Sequence, residues 1–183
     1  MTSEPTAEVI TQQVRDLGKL SDDDLYRLLS QESLEKYRKG LMKQAVDTLS
    51  PERRRQFERD KSRGAGLYGP ISFLFGKVDH DMLHVLVDST KLQPNAEDGK
   101  GLFALRWGNL KRQLCEDWHY CEKRKEYADP EALCAAMTAV AVNTSPLQPS
   151  IAAAVVLLAS RQGPKFICDC PDEAGAETSA MPA

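Results

Sequence analysis

Apolar residues recur along the first fifty positions at three- and four-residue steps, the spacing of one face of a helix. Val9, Ile10, Val14 and Leu17 form the first such stripe, and Gly18 ends it. A second helix begins in Leu20-Ser21-Asp22-Asp23-Asp24-Leu25. There the Ser21 hydroxyl is a cap, three aspartates occupy the turn where the macrodipole favours negative charge, and Leu20 is placed to staple to Leu25. Leu34, Tyr37, Leu41, Ala45 and Leu49 predict a third helix over 33–49. Ser50-Pro51-Glu52 starts a fourth, running to about Arg63, because proline at the first helical position gives up an N–H that would have had no intrahelical acceptor. Its only large apolar residue is Phe57, so it can be only lightly buried.

Gly64-Ala65-Gly66-Leu67-Tyr68-Gly69-Pro70 interrupts the pattern. Its Gly-x-Gly-x-x-Gly spacing matches a dinucleotide-binding turn, but an arginine-rich helix precedes it where that turn needs a strand, so it reads as a hinge. Beyond it Ile71, Leu74, Phe75, Val78, Met82, Val85 and Leu86 fit one helical stripe, while Phe73, Leu83 and Val87 form a second apolar set available to a partner. A valine-rich strand over Met82–Asp88 is the rival reading. Residues 91–101 read as a polar loop. Phe103, Trp107, Leu110, Leu114, Trp118 and Cys121 then step by four, three, four, four and three along a single ridge, the predicted backbone of the core. Asp129-Pro130-Glu131 starts another helix, after which Leu133–Val142 and Ile151–Ala159 carry almost no polar side chain. Each arm is roughly 15 Å long as a helix, about half a hydrocarbon thickness, which predicts the buried centre of a bundle. The expected fold is all-α. It is a compact single-domain bundle of about seven or eight helices over 1–170, with a basic surface helix and Gly-rich hinge at 51–69, an apolar helical hairpin at 129–168 and a disordered tail at 171–183.

Charge changes this picture by region. The 24 basic and 27 acidic side chains give a net charge of −3, but residues 1–34 hold three basic and seven acidic groups while 35–64 hold ten and five. The centre is balanced and the C-terminal region is acidic. Five cysteines are an odd number, and Glu4, Glu8 and Asp16 occupy positions where a secretory segment needs an apolar run. Reduced thiols and a cytoplasmic location are therefore the expectation.

Few constellations carry chemistry. Cys115 and His119 are four apart on a helical face, and Cys168 and Cys170 can complete a Cys3His zinc set with them; otherwise the cysteines read as free thiols. Cys115 and Cys121 lie six apart, about 120° around a regular helix, and cannot share an ion unless the helix distorts. Arg112 and His119 share a face opposite the tryptophan ridge. This arrangement resembles the motif of HEPN ribonucleases, all-helical domains that cleave RNA without metal, usually as dimers. Gln113 departs from that pattern, which usually places Asn, Asp or His after the arginine. The resemblance implies His119 as proton shuttle and Arg112 as the group that stabilises phosphorane charge.

Arg53, Arg54, Arg55 and Arg59 make the main basic concentration. Glu52, Glu58 and Asp60 lie among them and stacking aromatics are scarce, so an acidic protein surface suits them better than nucleic acid. The function expected is that of a non-enzymatic interaction protein, a small cytosolic adaptor or subunit of bacterial type. It acts through helix-mediated homo-oligomerisation or partner docking at Arg53, Arg54, Arg55, Arg59, Phe73, Leu83 and Val87. It needs no cofactor unless zinc binds the cysteines. The alternative is an effector acting on RNA through Arg112 and His119, or on membranes through the apolar stretch 133–160.

Overall fold

A computed structural model describes residues 6–61, 74, 80–145 and 147–170. Among the described residues the chain is all-α, with helices and no strand. The hinge at 64–70, Phe73, the side chains of His80 and Leu83, and the tail at 171–183 lie outside them.

Two compact units emerge, Met1–Leu29 with Asn95–Ala183, and Ser30–Pro94. The first contains α1 (Ala7–Leu17), the start of α2 (Asp22–Asp47), α5 (Ala96–Arg112), α6 (Tyr120–Lys123), α7 (Pro130–Thr144), α8 (Pro149–Arg161) and α9 (Pro164–Ile167). Its core is built around α8, which packs against α1, α5, α7 and α9. Every residue from Ile151 to Ala159 is buried. Alanines at 152, 153, 154 and 159 let neighbouring helices approach closely, while Val155, Val156, Leu157 and Leu158 fill the gaps between them. Helix α7 is buried on one face only, through Cys134, Met137, Thr138 and Ala141.

Polar contacts tie the helix ends of this unit together. Arg161 closes α8 and donates from Nη2 to the carbonyls of Gly18 and Leu20, both at 2.9 Å, while Nη1 meets Asp22 Oδ1 at 2.5 Å. One guanidinium thereby satisfies the turn between α1 and α2, using the fixed fork of donors that distinguishes arginine. Arg15 joins α1 to α7 through Glu131 at 2.8 Å. Ser21 caps α2, its Oγ accepting from the Asp24 N–H at 3.2 Å, and Asp129 caps α7, accepting from the Glu131 N–H at 3.0 Å.

Two expectations are corrected here. Helix α2 runs unbroken through Gln31-Glu32-Ser33, where a boundary between two helices was expected. No proline or glycine stands between Asp22 and Lys39, and Glu32, only 7% exposed, is neutralised by Lys36 at 2.8 Å one turn on. Helix α5 begins at Ala96, inside the stretch that reads as a loop, because the Asn95 side chain accepts from the Asp98 N–H at 2.8 Å. Gly99 then lies directly against the backbone of Tyr26, where no Cβ can be accommodated.

The second unit comprises the rest of α2, α3 (Pro51–Lys61) and α4 (His80–Lys91). Residues 82–88 are helical rather than a strand. Ala45, Val46, Leu49, Phe57, Leu74 and Leu86 form its core. Arginines again satisfy helix C-termini: Arg38 donates to the carbonyls of Ser89 and Leu92 at 2.9 and 2.7 Å, and Arg54 to that of Asp47 at 2.8 Å.

Candidate functional site

The tryptophan ridge enters the core as Phe103, Trp107, Leu110 and Leu114, but the helix does not continue regularly to Cys121. At Gln113–Asp117 it widens into a π-turn, closed by the Trp118 N–H to the Gln113 carbonyl at 2.9 Å. His119 then adopts a left-handed conformation with φ 55°, and α6 restarts from its carbonyl. Left-handed backbone is costly for a residue with a Cβ and persists only where the surroundings impose it. Here they do, through two disulfides, Cys115–Cys168 and Cys121–Cys170. A regular helix would point Cys115 and Cys121 in different directions; the extra residue of the π-turn and the reversal at His119 bring both to the Cys168-Asp169-Cys170 segment.

That segment is held by packing as well. Gly163, at φ 95°, turns the chain out of α8 and into α9. Phe166 stacks on Trp107 and Phe103 with centroids at 5.6 and 6.3 Å, and Lys111 Nζ lies over the Phe166 ring, 5.8 Å from its centroid.

Beside this clasp is an open cleft of about 470 Å³. Leu133, Cys134, Ser160, Ile167, Arg124 and Lys125 are among the residues that line it. Cys134 is the one cysteine of the five outside a disulfide. Its Sγ lies 3.3 Å from Ser160 Oγ, which donates onward to the Val156 carbonyl at 2.9 Å. Burial pushes the Cys134 thiol pKa up, which keeps it neutral.

The residues singled out from the sequence are distributed differently from expectation. Cys115 and Cys168 do meet, but as a disulfide, and Cys170 is bonded to Cys121, so in this state those sulfurs are not thiolates available to zinc. Among the described residues no group of three or more metal-ligating side chains converges. The free-thiol expectation survives for Cys134 alone. Arg112 is the last residue of α5, and His119 lies beyond the π-turn in a left-handed conformation, so the shared helical face required by the ribonuclease resemblance is absent. Arg53, Arg54, Arg55 and Arg59 are exposed on α3, with Phe57 turned inward. Val87 is partly buried against the second core rather than forming an outer face.

The sequence reading missed the disulfides and the cleft. Two cysteines on each of two segments was the available signal for the first. The second had none, because its lining comes from four separate stretches of chain. Compared with protein-family models, with curated proteins and with solved structures, the chain matches none. No helix among the described residues is long and apolar enough to cross a membrane.

Proposed function

We propose that this chain is a non-enzymatic interaction protein that assembles with a second copy of itself through α3. The observation that carries this reading is the exposure of Arg53, Arg54, Arg55 and Arg59 on a helix whose one buried large apolar residue is Phe57. A helix held to its own unit by so narrow a contact leaves most of its surface to a partner, and arginine is enriched at protein interfaces. Charge favours self-association, since residues 1–34 carry seven acidic and three basic groups against ten basic and five acidic in 35–64. The two disulfides favour an oxidising compartment over the cytoplasm as the place of assembly.

Light scattering over a concentration series tests the proposal. A defined oligomer is expected at low salt, dissociating as salt screens the charges. The variant Arg53→Glu/Arg55→Glu should be monomeric with unchanged helicity. A wild-type protein that is monomeric at every concentration, or a variant that still assembles, overturns it.

A further inference from the structure

We propose that the clasp is a redox switch: reducing its two disulfides lets α5 and α6 join into one regular helix and exchanges the aromatic side chain buried at its end. The chain from Asn109 to Tyr127 contains neither glycine nor proline, so nothing local interrupts a helix there. Its apolar ridge of Phe103, Trp107, Leu110, Leu114, Trp118 and Cys121 keeps helical spacing straight through the π-turn. The oxidised structure departs from that pattern at two places. One is the π-turn of Gln113–Asp117, and the other is His119, the only described residue besides glycine with a positive φ. His119 is exposed and its side chain makes no cap hydrogen bond to α6, so its own contacts do not hold it left-handed. The cross-links to Cys168 and Cys170 do, which makes 113–123 a segment with two arrangements.

The two arrangements bury different residues. With the clasp closed, Tyr120 is 2% exposed, while Trp118 is half-buried and packs on Tyr127. On a continuous helix Trp118 and Cys121 fall within about 40° of Leu114 and Tyr120 about 120° away, so reduction turns Trp118 into the core and Tyr120 out of it. Tyr120 and Ile167 both line the cleft, which therefore changes shape with redox state. The rest of the unit is held by other means, α8 by its packing on α1 and α7, and the helix ends by Arg161 and Arg15. The reductant is a dithiol. Cys115 and Cys121 are partly exposed while Cys168 and Cys170 are buried, so a thiolate attacks the helical sulfur of each bond. The S–S bond breaks, its electron pair stays on Cys168 or Cys170, which takes up a proton, and a mixed disulfide forms on the helix. The second thiol of the reductant then displaces Cys115 or Cys121; each bond has gained two electrons and two protons, and the dithiol has become a disulfide. The clasp lies in the first unit and the proposed assembly helix in the second, so either proposal can fail without the other.

Dithiothreitol is the probe, applied to the full-length protein in a buffer that also contains its oxidised form. In the reduced protein the backbone NMR shifts and sequential contacts of residues 109–123 should become those of an uninterrupted α-helix, His119 included. Hydrogen exchange should leave Ile151–Ala159 protected. Substitution at His119 separates a switch from a pair of passive staples. Glycine accepts a positive φ and weakens a regular helix, so His119→Gly should move the thiol–disulfide equilibrium about tenfold toward the oxidised form. Isoleucine resists a positive φ, so His119→Ile should move it severalfold the other way. If His119 keeps its conformation after reduction, each substitution acts equally on both states and the equilibrium stays where it was. Should His119→Ile not fold, the glycine variant and the wild-type spectra decide without it. The proposal is overturned by an unmoved equilibrium in the glycine variant, by a reduced wild type whose His119 remains left-handed, or by reduction that strips protection from Ile151–Ala159, the mark of global unfolding.

Discussion

The two units of this chain solve the same problem with different means. In the first, α8 is buried from Ile151 to Ala159, and two disulfides fasten the chain that follows it onto the end of the tryptophan ridge. In the second, the buried core among the described residues is spread over α2, α3, α4 and Leu74, and arginine side chains cap the helix ends. A unit as small as Ser30–Pro94 buries a smaller fraction of its surface on folding and sits nearer the stability threshold. Burial and cross-links accumulate in one unit, and exposed cationic surface in the other.

The largest effect should come from removing a staple. Cys115→Ser/Cys168→Ser opens a loop with a sequence separation of 53 and should cost about 4 kcal/mol in urea denaturation. Removing Cys121–Cys170 as well should cost less than the first, because the two loops overlap. Single core truncations come next and test whether the units are unequal. Leu158→Ala and Phe57→Ala should each lose about 3 kcal/mol. Hydrogen exchange should show the Phe57 variant loosening mainly residues 30–94 and leaving Ile151–Ala159 protected; if both variants melt the whole chain together, the units are one cooperative body. Asn95→Ala should cost about 1 kcal/mol through the lost cap on α5. Charge reversal at Arg53 and Arg55 should change stability by less than about 0.5 kcal/mol while abolishing assembly, the signature of a surface used for contact rather than folding.

Acid provides the smallest test. The Asp16 carboxyl is held below the usual carboxylate range by hydrogen bonds from Gln12 and Lys19, and Asp88 by Lys91. A depressed folded pKa means stabilisation that is present above the unfolded value and lost as pH falls through the folded one. Both groups are surface-exposed and one lies in each unit, so carboxyl titration by NMR should find both protonating at lower pH than an unpaired aspartate, with little change in either unit's stability.

Much of the fold was legible because helix starts are written locally. Ser21 with its aspartates, Ser50-Pro51 and Asp129-Pro130 each place a cap or a proline where the first turn needs one, and each starts a helix. Asn95-Ala96-Glu97-Asp98 has the same grammar and was readable in the same way; the glycines at 99 and 101 made it look like a loop. Gly99 is there because Tyr26 approaches from a distant part of the sequence. The π-turn and the left-handed His119 were not legible, because their cause is fifty residues away at Cys168 and Cys170. Disulfide pairing depends on which backbones come within reach, and no spacing rule supplies that. The cleft was hidden for the same reason, and the exposed arginines of α3 were visible because exposure of a polar helix is a local property.

The order in which the cysteines are synthesised gives the clasp a consequence for biogenesis. A chain made from its N-terminus presents Cys115, Cys121 and Cys134 before either correct partner exists, and Cys168 and Cys170 arrive last. During that interval every bond that can form among the three is a wrong one. Correct oxidation therefore has to wait for nearly the whole first unit, and burying Cys134 within α7 removes the one thiol that has no partner to wait for.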